Sequence, residues 1–540
     1  MKKIFKHFQG INGLIFALYV TVIFTLRVLT VDNCNIWMIL LSIAAIFFVS
    51  LLICPKLFDW IRALKIPVNT HDYTKKERRI WLLIFFAVNF LVFFLRYVSV
   101  YPGGFVADNI NQYTQMIENN YNDWHPALHT FIIFTLPYKL TGNIGSIVFM
   151  QVLYLSLSCA YMEYVLMLYA GKKYAAATML FIVLNPGIHS LAVIPTKDIA
   201  FSIASMVLIT YTLHIFFTKG QWMNKKLNVV LFSLFAVLAV IFRHNAILLI
   251  LPLFIAVMFY IDKKQRIWIT ALFILLFLII KIPLYNVMQV KDAEKRCVEM
   301  AGMPMTIIAN VVKEKPEVLD DELKTFAYSI APQDAWDEYQ CGNFNSIKWS
   351  KNGKNFNLNV LDDVGIFNVC RLAVKCIVIE PTSSLKAAAV LFNRVVAVDG
   401  DVDWHQYTET ADNSVGIEQT SGTLDDLFIS YADIIMGTVF KYLFYFTGII
   451  NLVILAAVMA KMKFSKHWKK ILLCIPLLIH NWGTMLLLSG IDFRFFIVSF
   501  FIFASIMLII LGDNNKGNSE EESEKTLLLK KYSYLTLKKE

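Results

Sequence analysis

Long apolar runs separated by short polar segments organise the chain. Twelve runs are long enough to cross a hydrocarbon core of about 30 Å as helices. They lie at residues 13–30, 36–54, 80–98, 145–169, 174–193, 198–218, 227–242, 245–260, 266–284, 432–460, 470–488 and 492–512. The pattern predicts an all-α integral membrane protein with about twelve transmembrane helices. A hydrophobic fraction of 57% over 540 residues agrees, because no soluble domain hides that much apolar surface.

The run at residues 127–140 decides the topology, since it is short and carries His129, Pro137 and Lys139. If it does not cross the membrane, every basic segment falls on the cytoplasmic side, as the positive-inside rule requires. These segments are residues 2–6, 56–79, 172–173, 219–226, 263–266, 461–470 and 530–531. We therefore expect 127–140 to lie at the outer surface or to dip into the membrane and return. Both termini are then cytoplasmic, in a chain of the cytoplasmic (plasma) membrane.

This topology divides the chain into six parts. They are N-terminal spans with a basic loop (1–98), a first large external loop with a surface helix (99–144), central spans (145–284), a mainly helical extracytoplasmic domain (285–430), C-terminal spans (431–512) and a disordered cytoplasmic tail (513–540).

The charge and the cysteines follow the same topology. The formal charge of +10 comes from the basic cytoplasmic segments, so no nucleic acid is expected as a partner. Four cysteines of the extracytoplasmic domain could form one or two disulfides outside the cell, with no pairing favoured: Cys297, Cys341, Cys370 and Cys376.

Two carboxylates in the first external loop are the leading candidates for chemistry. Asp108 and Asp123 follow an apolar run, where a carboxylate can take a proton from a hydroxyl or hold a divalent metal such as Mg²⁺ or Mn²⁺. Asp108 could instead cap the helix that its polar neighbours predict. We interpret Asp108, Asp123 and His125 as catalytic, because indole, imidazole and amide groups lie close to them in sequence.

Trp124-His125-Pro126 is the most distinctive motif of this loop. An indole can form a platform for a sugar ring, or it can lie in the aromatic belt at the headgroup level. His125 could bind a phosphate or a metal, or it could be held by an ordinary hydrogen bond. We assign Trp124, Gln112 and His129 to substrate binding.

Lys197 and Asp198 open a predicted span on the same face. A helix N-terminus carries unpaired N–H groups and a partial positive charge, so a lysine there suits a phosphate. Alternatively, Lys197 extends to the interface and Asp198 caps the helix. We assign both residues to substrate binding.

Two arginines lie at later outer boundaries. Arg243-His244-Asn245 joins two apolar runs, and an arginine at this boundary needs a compensating anion, for which a lipid phosphate is the natural partner. Arg494 either pairs locally or adds a second anion contact. We assign Arg243, His244, Asn245 and Arg494 to substrate binding.

Four motifs resemble a group of poorly characterised bacterial polytopic proteins allied to GT-C glycosyltransferases, such as protein O-mannosyltransferases and the aminoarabinose transferase of lipid A. The motifs are Tyr101-Pro102-Gly103-Gly104 with Asp108, Asp123-Trp124-His125-Pro126, Asn185-Pro186 with Thr196-Lys197-Asp198, and Arg243-His244-Asn245. The resemblance implies a GT-C-like fold and inverting transfer of a sugar from a polyprenyl or dolichyl phosphate. It also implies that Asp108 is the base or metal ligand, although Asn109 follows it where many members have a second acidic residue.

The sequence thus predicts a membrane glycosyltransferase acting at the outer face of the cytoplasmic membrane. A polyprenyl-phosphate sugar would be the donor, and an envelope glycan, lipid or protein the acceptor. Lys197, Arg243 and Arg494 would bind the donor phosphate. The alternatives are a transporter or flippase of lipid-linked saccharides, marked by charged residues deep in several spans, and a non-catalytic scaffold. Beyond a divalent metal, no cofactor is expected.

Overall fold

The computed structural model describes residues 10–31, 36–69, 71–291, 296–350, 356–396, 398, 409–488, 490 and 492–513. In this part the strands are β1 (Ile66–Pro67) and β2 (Gly512–Asp513), which pair in parallel with Ile66 opposite Gly512. Helices account for most of the remainder, so the predicted all-α class is confirmed for the described residues. The predicted basic residues at 2–6 and 530–531, Cys34 and the tail after residue 513 lie outside them.

The α-helices in chain order are α1 (Gly10–Leu29), α2 (Ile36–Ala63), α3 (Lys75–Ser99), α4 (Ala107–Glu118), α5 (Ala127–His129), α6 (Leu136–Thr141), α7 (Gly145–Ala170), α8 (Lys172–Val183), α9 (Pro186–Ala192), α10 (Lys197–Phe217), α11 (Lys226–Phe242), α12 (Ile247–Met258), α13 (Lys263–Ile279), α14 (Tyr285–Val287), α15 (Arg296–Met300), α16 (Gly302–Glu314), α17 (Asp321–Ile330), α18 (Asn345–Lys348), α19 (Val360–Val364), α20 (Ile366–Ile379), α21 (Pro381–Val396), α22 (Thr423–Met436), α23 (Lys441–Phe444), α24 (Thr447–Lys461), α25 (Phe464–Cys474), α26 (Pro476–Met485) and α27 (Ile497–Leu511). The 3₁₀ turns are Gln221–Asn224, His244–Ala246, Pro316–Val318, Gln333–Glu338 and Phe493–Phe496, and the π-helical turns are Thr130–Thr135 and Ile280–Leu284.

Seven helices in the described part are long and apolar enough to cross a membrane, which supports the predicted membrane class. They are Gly10–Leu29, Trp37–Ala63, Lys75–Ser99, Gly145–Ala170, Lys197–Phe217, Lys263–Val287 and Phe493–Leu511. Each coincides with one of the twelve predicted spans.

The other five predicted spans are short or divided. The run at 174–193 becomes α8 and α9, which are bent by 64° at a break where Asn185 caps α9 and Pro186 begins it. The run at 470–488 is divided between α25 and α26, and the latter begins at Pro476. Helices α11, α12 and α24 are apolar but have 17, 12 and 15 residues. A total of twelve spans therefore stays a prediction.

The apolar helices pack into one bundle around a common core, in which α3 lies against α7 and α10 lies against α11 and α27. Predicted basic segments meet at one end of this bundle. There Lys461 Nζ donates to the carbonyl of Arg62 at 2.8 Å, and Lys470 Nζ donates to the carbonyl of Ile510 at 3.3 Å. The polar segments that follow α3 and precede α10 and α27 gather at the other end.

The segment from Ala127 to Thr141 is a continuous helix of α5, the π-helical turn and α6. Its first residues follow His125, whose ring lies near Asp108, and just beyond its last residue Asn143 accepts a 2.9 Å hydrogen bond from Tyr101 Oη. Both ends therefore lie at the same end of the bundle. At about 1.5 Å per residue its length is about 22 Å, which is less than a hydrocarbon core.

Residues 296–350 and 356–396 form a helical unit with a hydrophobic cluster of its own, built mainly from α16, α17 and α20. Trp336, Tyr339 and Phe344 are fully buried in it, and Trp336 Nε1 donates to the carbonyl of Ala331 at 3.2 Å. The expected helical character of this region is thus observed. Cys297, Cys370 and Cys376 are free thiols. Helix α21 joins the unit to the bundle by packing against α1 and α24.

Candidate functional site

The turn at residues 101–104 fixes where α4 begins. Gly103 has a φ of +127°, and a Cβ at this position would lie 2.4 Å from Val148 Cγ2, so the close approach needs glycine. A few residues later, Asn109 Nδ2 donates to the carbonyl of Pro195 at 3.0 Å. These contacts bring the N-termini of α4 and α10 side by side.

Asp108 lies in the first turn of α4, but Val106 is the N-cap residue, so Asp108 does not cap the helix. Its Oδ2 lies 3.2 Å from Arg494 Nη2, and its Oδ1 lies 4.0 Å from His125 Nε2. Burial alone would raise the pKa of Asp108, but the nearby guanidinium of Arg494 and ammonium of Lys197 hold it well below its usual range. With 35% of its side chain exposed, this permanent carboxylate can still meet a ligand.

His125 connects Asp108 to Lys197. Lys197 Nζ lies 3.4 Å from His125 Nδ1, and an ammonium group can only donate, so Nδ1 is the acceptor and the proton of the neutral ring is on Nε2. That N–H lies on the side of Asp108. Burial, followed by the charge of Lys197, lowers the pKa of His125 well below its ordinary value, which agrees with a neutral imidazole. The three side chains form a carboxylate–imidazole–ammonium series.

Arg243 has a compensating charge inside the protein. Its Nη1 donates to Asp198, and its Nε donates to Asn245 Oδ1 at 2.5 Å. Both charged partners are buried, with Arg243 5% and Asp198 1% exposed. Since Thr196 is the N-cap residue of α10, Asp198 serves this ion pair and does not cap the helix.

Arg494 joins the same group of charges. Its Nε lies 2.9 Å from Asp492 Oδ2 and 3.8 Å from Asp198 Oδ2, while its Nη2 faces Asp108. The expected local pair with Asp492 is therefore present together with contacts to two carboxylates of other segments. We call the six side chains the charged cluster: Asp108, Asp198, Asp492, Lys197, Arg243 and Arg494.

The charges of this cluster cancel formally, since three carboxylates face three cations. Lys197 differs from the two arginines, because no carboxylate oxygen of the described residues lies within 4.0 Å of its Nζ. Its partner is the imidazole of His125. Lys197 is thus the cation of the cluster most able to take an added anion.

A divalent metal does not fit at Asp108. Among the described residues, no three His, Cys, Asp or Glu side chains converge to hold an ion. Mg²⁺ and Mn²⁺ prefer carboxylate oxygens, whereas the nearest groups to Asp108 are the guanidinium of Arg494 and the imidazole of His125. A metal at Asp108 would have to displace the guanidinium of Arg494.

Asp123 belongs to a second group next to the charged cluster. Lys281 Nζ donates to its Oδ2 at 2.8 Å, Tyr285 Oη donates to its Oδ1 at 3.0 Å, and His244 Nε2 lies 3.3 Å from its carbonyl oxygen. The structure thus separates Asp123 from Asp108. Lys281 and Tyr285 were not predicted as site residues, although a lysine near the end of an apolar run is a signal that it needs a partner.

Gln112, His129 and Asn245 lie buried or half-buried behind the charged cluster. Gln112 Nε2 lies 2.9 Å from both His129 Nδ1 and Thr130 Oγ1, and Asn245 Nδ2 donates to Thr484 Oγ1 at 3.0 Å. Burial, followed by the charge of Lys197, lowers the pKa of His129 to about 3. These contacts fit residues that position the site, and the predicted substrate contacts of all three stay untested.

Trp124 connects this loop to the helical unit at residues 296–396. Lys348 Nζ lies 5.3 Å from the centroid of its ring and also pairs with Glu299. Nearby, the N–H of Asp123 donates to the carbonyl of Lys291 at 3.0 Å. Lys348 is a contact that the sequence did not reveal, because it lies far from the loop along the chain.

One family model matches the chain, over residues 125–354, and its description is "Family of unknown function (DUF6020)". The match begins at His125 and includes Lys197, Arg243 and Lys348, but it leaves out Asp108 and Arg494. It covers less than half of the chain. No curated protein and no solved structure matches the chain.

Proposed function

We propose that the chain is an integral membrane glycosyltransferase of GT-C type that uses a polyprenyl-phosphate sugar as donor and an envelope glycan, lipid or protein as acceptor. The proposal rests on the arrangement of Asp108, His125 and Lys197, which lie next to one another at the end of the apolar helices. The carboxylate of Asp108 is partly exposed there and lies beside cations. A lipid-linked donor would place its phosphate at this level. Such preorganised charges stabilise a leaving phosphate best where water is excluded.

Asp108 would act as the general base. The acceptor oxygen would form a bond to the anomeric carbon while the bond from that carbon to the phosphate oxygen breaks, and the electron pair would leave with the polyprenyl phosphate. The acceptor proton would pass to the carboxylate of Asp108. The low pKa of Asp108 keeps it ionised at neutral pH, and Arg494 Nη2, 3.2 Å from its Oδ2, orients the carboxylate.

Lys197 would bind the donor phosphate. A sugar phosphodiester carries one negative charge, and the lysine has no carboxylate partner in the described part. Arg243 and Arg494 already have carboxylate partners, so they would contribute less. Of the three cations predicted to bind the donor phosphate, Lys197 would therefore be the main contact.

The proposed orientation has the charged cluster and the unit at residues 296–396 outside the cytoplasmic membrane. It is supported by the gathering of residues 56–79 and 461–470 at the opposite end of the bundle. Basic segments of short loops favour the cytoplasmic side.

The test measures transfer of labelled sugar from a panel of polyprenyl-phosphate donors to envelope material, in membranes that hold equal amounts of each variant. Asp108→Asn is expected to lower kcat by about 10²- to 10⁴-fold, as for loss of a general base. Lys197→Gln is expected to raise the KM for the donor more than it lowers kcat. The matched control is Glu118→Gln, an exposed carboxylate at the far end of the same helix, which is expected to keep full activity.

Equal transfer by the wild type and Asp108→Asn would overturn the role of Asp108. No transfer above empty membranes across the donor panel would overturn the enzyme itself and favour the transport or scaffold function.

A flippase of lipid-linked saccharides is the second candidate, and one observation favours it. Glu163 and Asn89 are both fully buried inside apolar helices, and Asn89 Nδ2 donates to Glu163 Oε2 at 2.9 Å. Glu163 lies seven residues before the end of α7, about 10 Å into the helix. An ionisable group at such depth is costly and marks transport pathways. Loss of lipid-saccharide translocation in Glu163→Gln proteoliposomes, without any sugar transfer, would favour this function.

A further inference from the structure

A cavity of about 740 Å³ lies at the end of the bundle opposite the charged cluster. It is formed where the loop before α3 meets the junction of α7 and α8. Helix α3 lies between the two regions. Tyr73, which lines the cavity, comes just before the helix, and the turn at residue 101, which leads to the charged cluster, comes just after it. Its 25 residues span about 37 Å, so the cavity is a separate site and its argument does not depend on the proposed function.

The lining of this cavity is basic. Lys65, His71, Lys172 and Lys173 contribute to it, and no Asp or Glu is among the described residues that line it. The apolar side chains of the lining, such as Ile66, lie beside these basic residues. Its volume is typical of a site for a small ligand. A positive lining next to apolar surface suits an anion that carries hydrocarbon.

The contacts around the cavity hold its shape. Asn69 Nδ2 donates to the carbonyl of Met167 at 3.2 Å, which ties the loop to the end of α7. The pairing of β1 with β2 fixes the start of the same loop.

Lys172 is held by its neighbours. Its Nζ lies 5.1 Å from the ring centroid of Tyr73, 5.4 Å from that of Trp81 and 3.4 Å from Glu77 Oε1. Its charge is therefore partly neutralised by a carboxylate outside the lining. Lys65 and Lys173 are exposed, so they can approach a ligand.

We propose that this cavity binds the phosphate-bearing headgroup of an anionic membrane lipid. Lys65 and Lys173 would contact the phosphate, Lys172 would add a fixed positive charge, and the apolar lining would meet the first carbons of the acyl chains. Basic pockets between the ends of membrane helices recognise such headgroups by charge.

The test uses the purified full-length chain in an uncharged detergent and measures the Kd for phosphatidylglycerol and phosphatidylcholine by native mass spectrometry. The wild type is expected to prefer phosphatidylglycerol. The double variant Lys65→Gln with Lys173→Gln is expected to bind it about thirtyfold more weakly, as for two lysines near an anionic headgroup. The charge-keeping double variant with arginine at both positions is expected to retain binding.

The matched control is Lys263→Gln with Lys264→Gln, two exposed lysines that begin α13 outside the cavity lining. Equal weakening in this control, or equal binding of both lipids by the wild type, would overturn the proposal. Inorganic pyrophosphate supplies the second arm. Binding of pyrophosphate without a preference for phosphatidylglycerol would assign the cavity to a soluble phosphate and overturn the lipid.

Discussion

The buried pair of Asp198 and Arg243 gives the sharpest test of how the charged cluster is held together. Both side chains are removed from water, so each depends on the charge of the other. Removing one partner of a buried ion pair costs about 3–5 kcal/mol, because the remaining charge is left uncompensated. The substitutions Asp198→Asn and Arg243→Met remove one charge each.

The two substitutions are not expected to cost the same. When Arg243 is lost, Asp198 keeps Arg494, whose Nε lies 3.8 Å from its Oδ2. At an effective dielectric constant of about 20, that contact is worth about 4 kcal/mol before desolvation. When Asp198 is lost, no second carboxylate oxygen of the described residues lies within 4.0 Å of Arg243. Asp198→Asn is therefore expected to destabilise the chain more than Arg243→Met.

A double-mutant cycle measures this coupling. The free energy of unfolding is obtained in mixed micelles by titration with SDS, followed by far-UV circular dichroism, for the wild type, both single variants and the double variant. We expect the double variant to be more stable than the sum of the single effects predicts, by about 2–3 kcal/mol. Additive effects, or a larger loss in Arg243→Met than in Asp198→Asn, would refute the reasoning.

Two further predictions concern the neighbours of the charged cluster. His129 has a folded-state pKa of about 3, below its unfolded value of about 6.5, so the unfolded chain binds the proton first and stability falls as the pH decreases from about 6.5 towards 3. At pH 5 this loss of stability is about 2 kcal/mol. SDS titrations at pH 7.5 and 5.0 are expected to show a smaller loss in His129→Asn than in the wild type. Equal losses in the two proteins would contradict the prediction. Tyr285→Phe removes one hydrogen bond to Asp123 and is expected to cost about 1 kcal/mol in the same titration, whereas an unchanged midpoint would show that the bond contributes nothing.

Asp108, His125 and Lys197, which were selected from the sequence, lie together, whereas Asp123 belongs to a second group. Arg243 was expected to need a compensating anion, and Asp198 of the adjacent α10 supplies one. Their place in one polar loop suggested that Asp108 and Asp123 act together, yet Asp108 faces Arg494 and Asp123 faces Lys281. Pairing between distant segments has no local signal, so neither partner could be read from the chain.

The helices, too, could be predicted only where they depend on residues close together in sequence. Seven of the twelve apolar runs became the candidate spans, because their length and composition are local properties. Runs interrupted near Pro186 and Pro476 became divided helices, since proline cannot continue the preceding hydrogen-bond pattern. Whether such a divided run still crosses the membrane depends on its neighbours.

By itself, the sequence determined the membrane class, the helical secondary structure and the polar segments that hold the candidate chemistry. Hydrophobic length and turn residues act within a few positions of the chain, so a single sequence is enough to read them. Only the tertiary structure decided that Lys197 meets His125, that Arg494 reaches Asp108 and that the loop before α3 lines a basic cavity together with Lys173. These contacts join residues far apart in sequence, and their energies depend on burial and distance, which exist only in the folded chain.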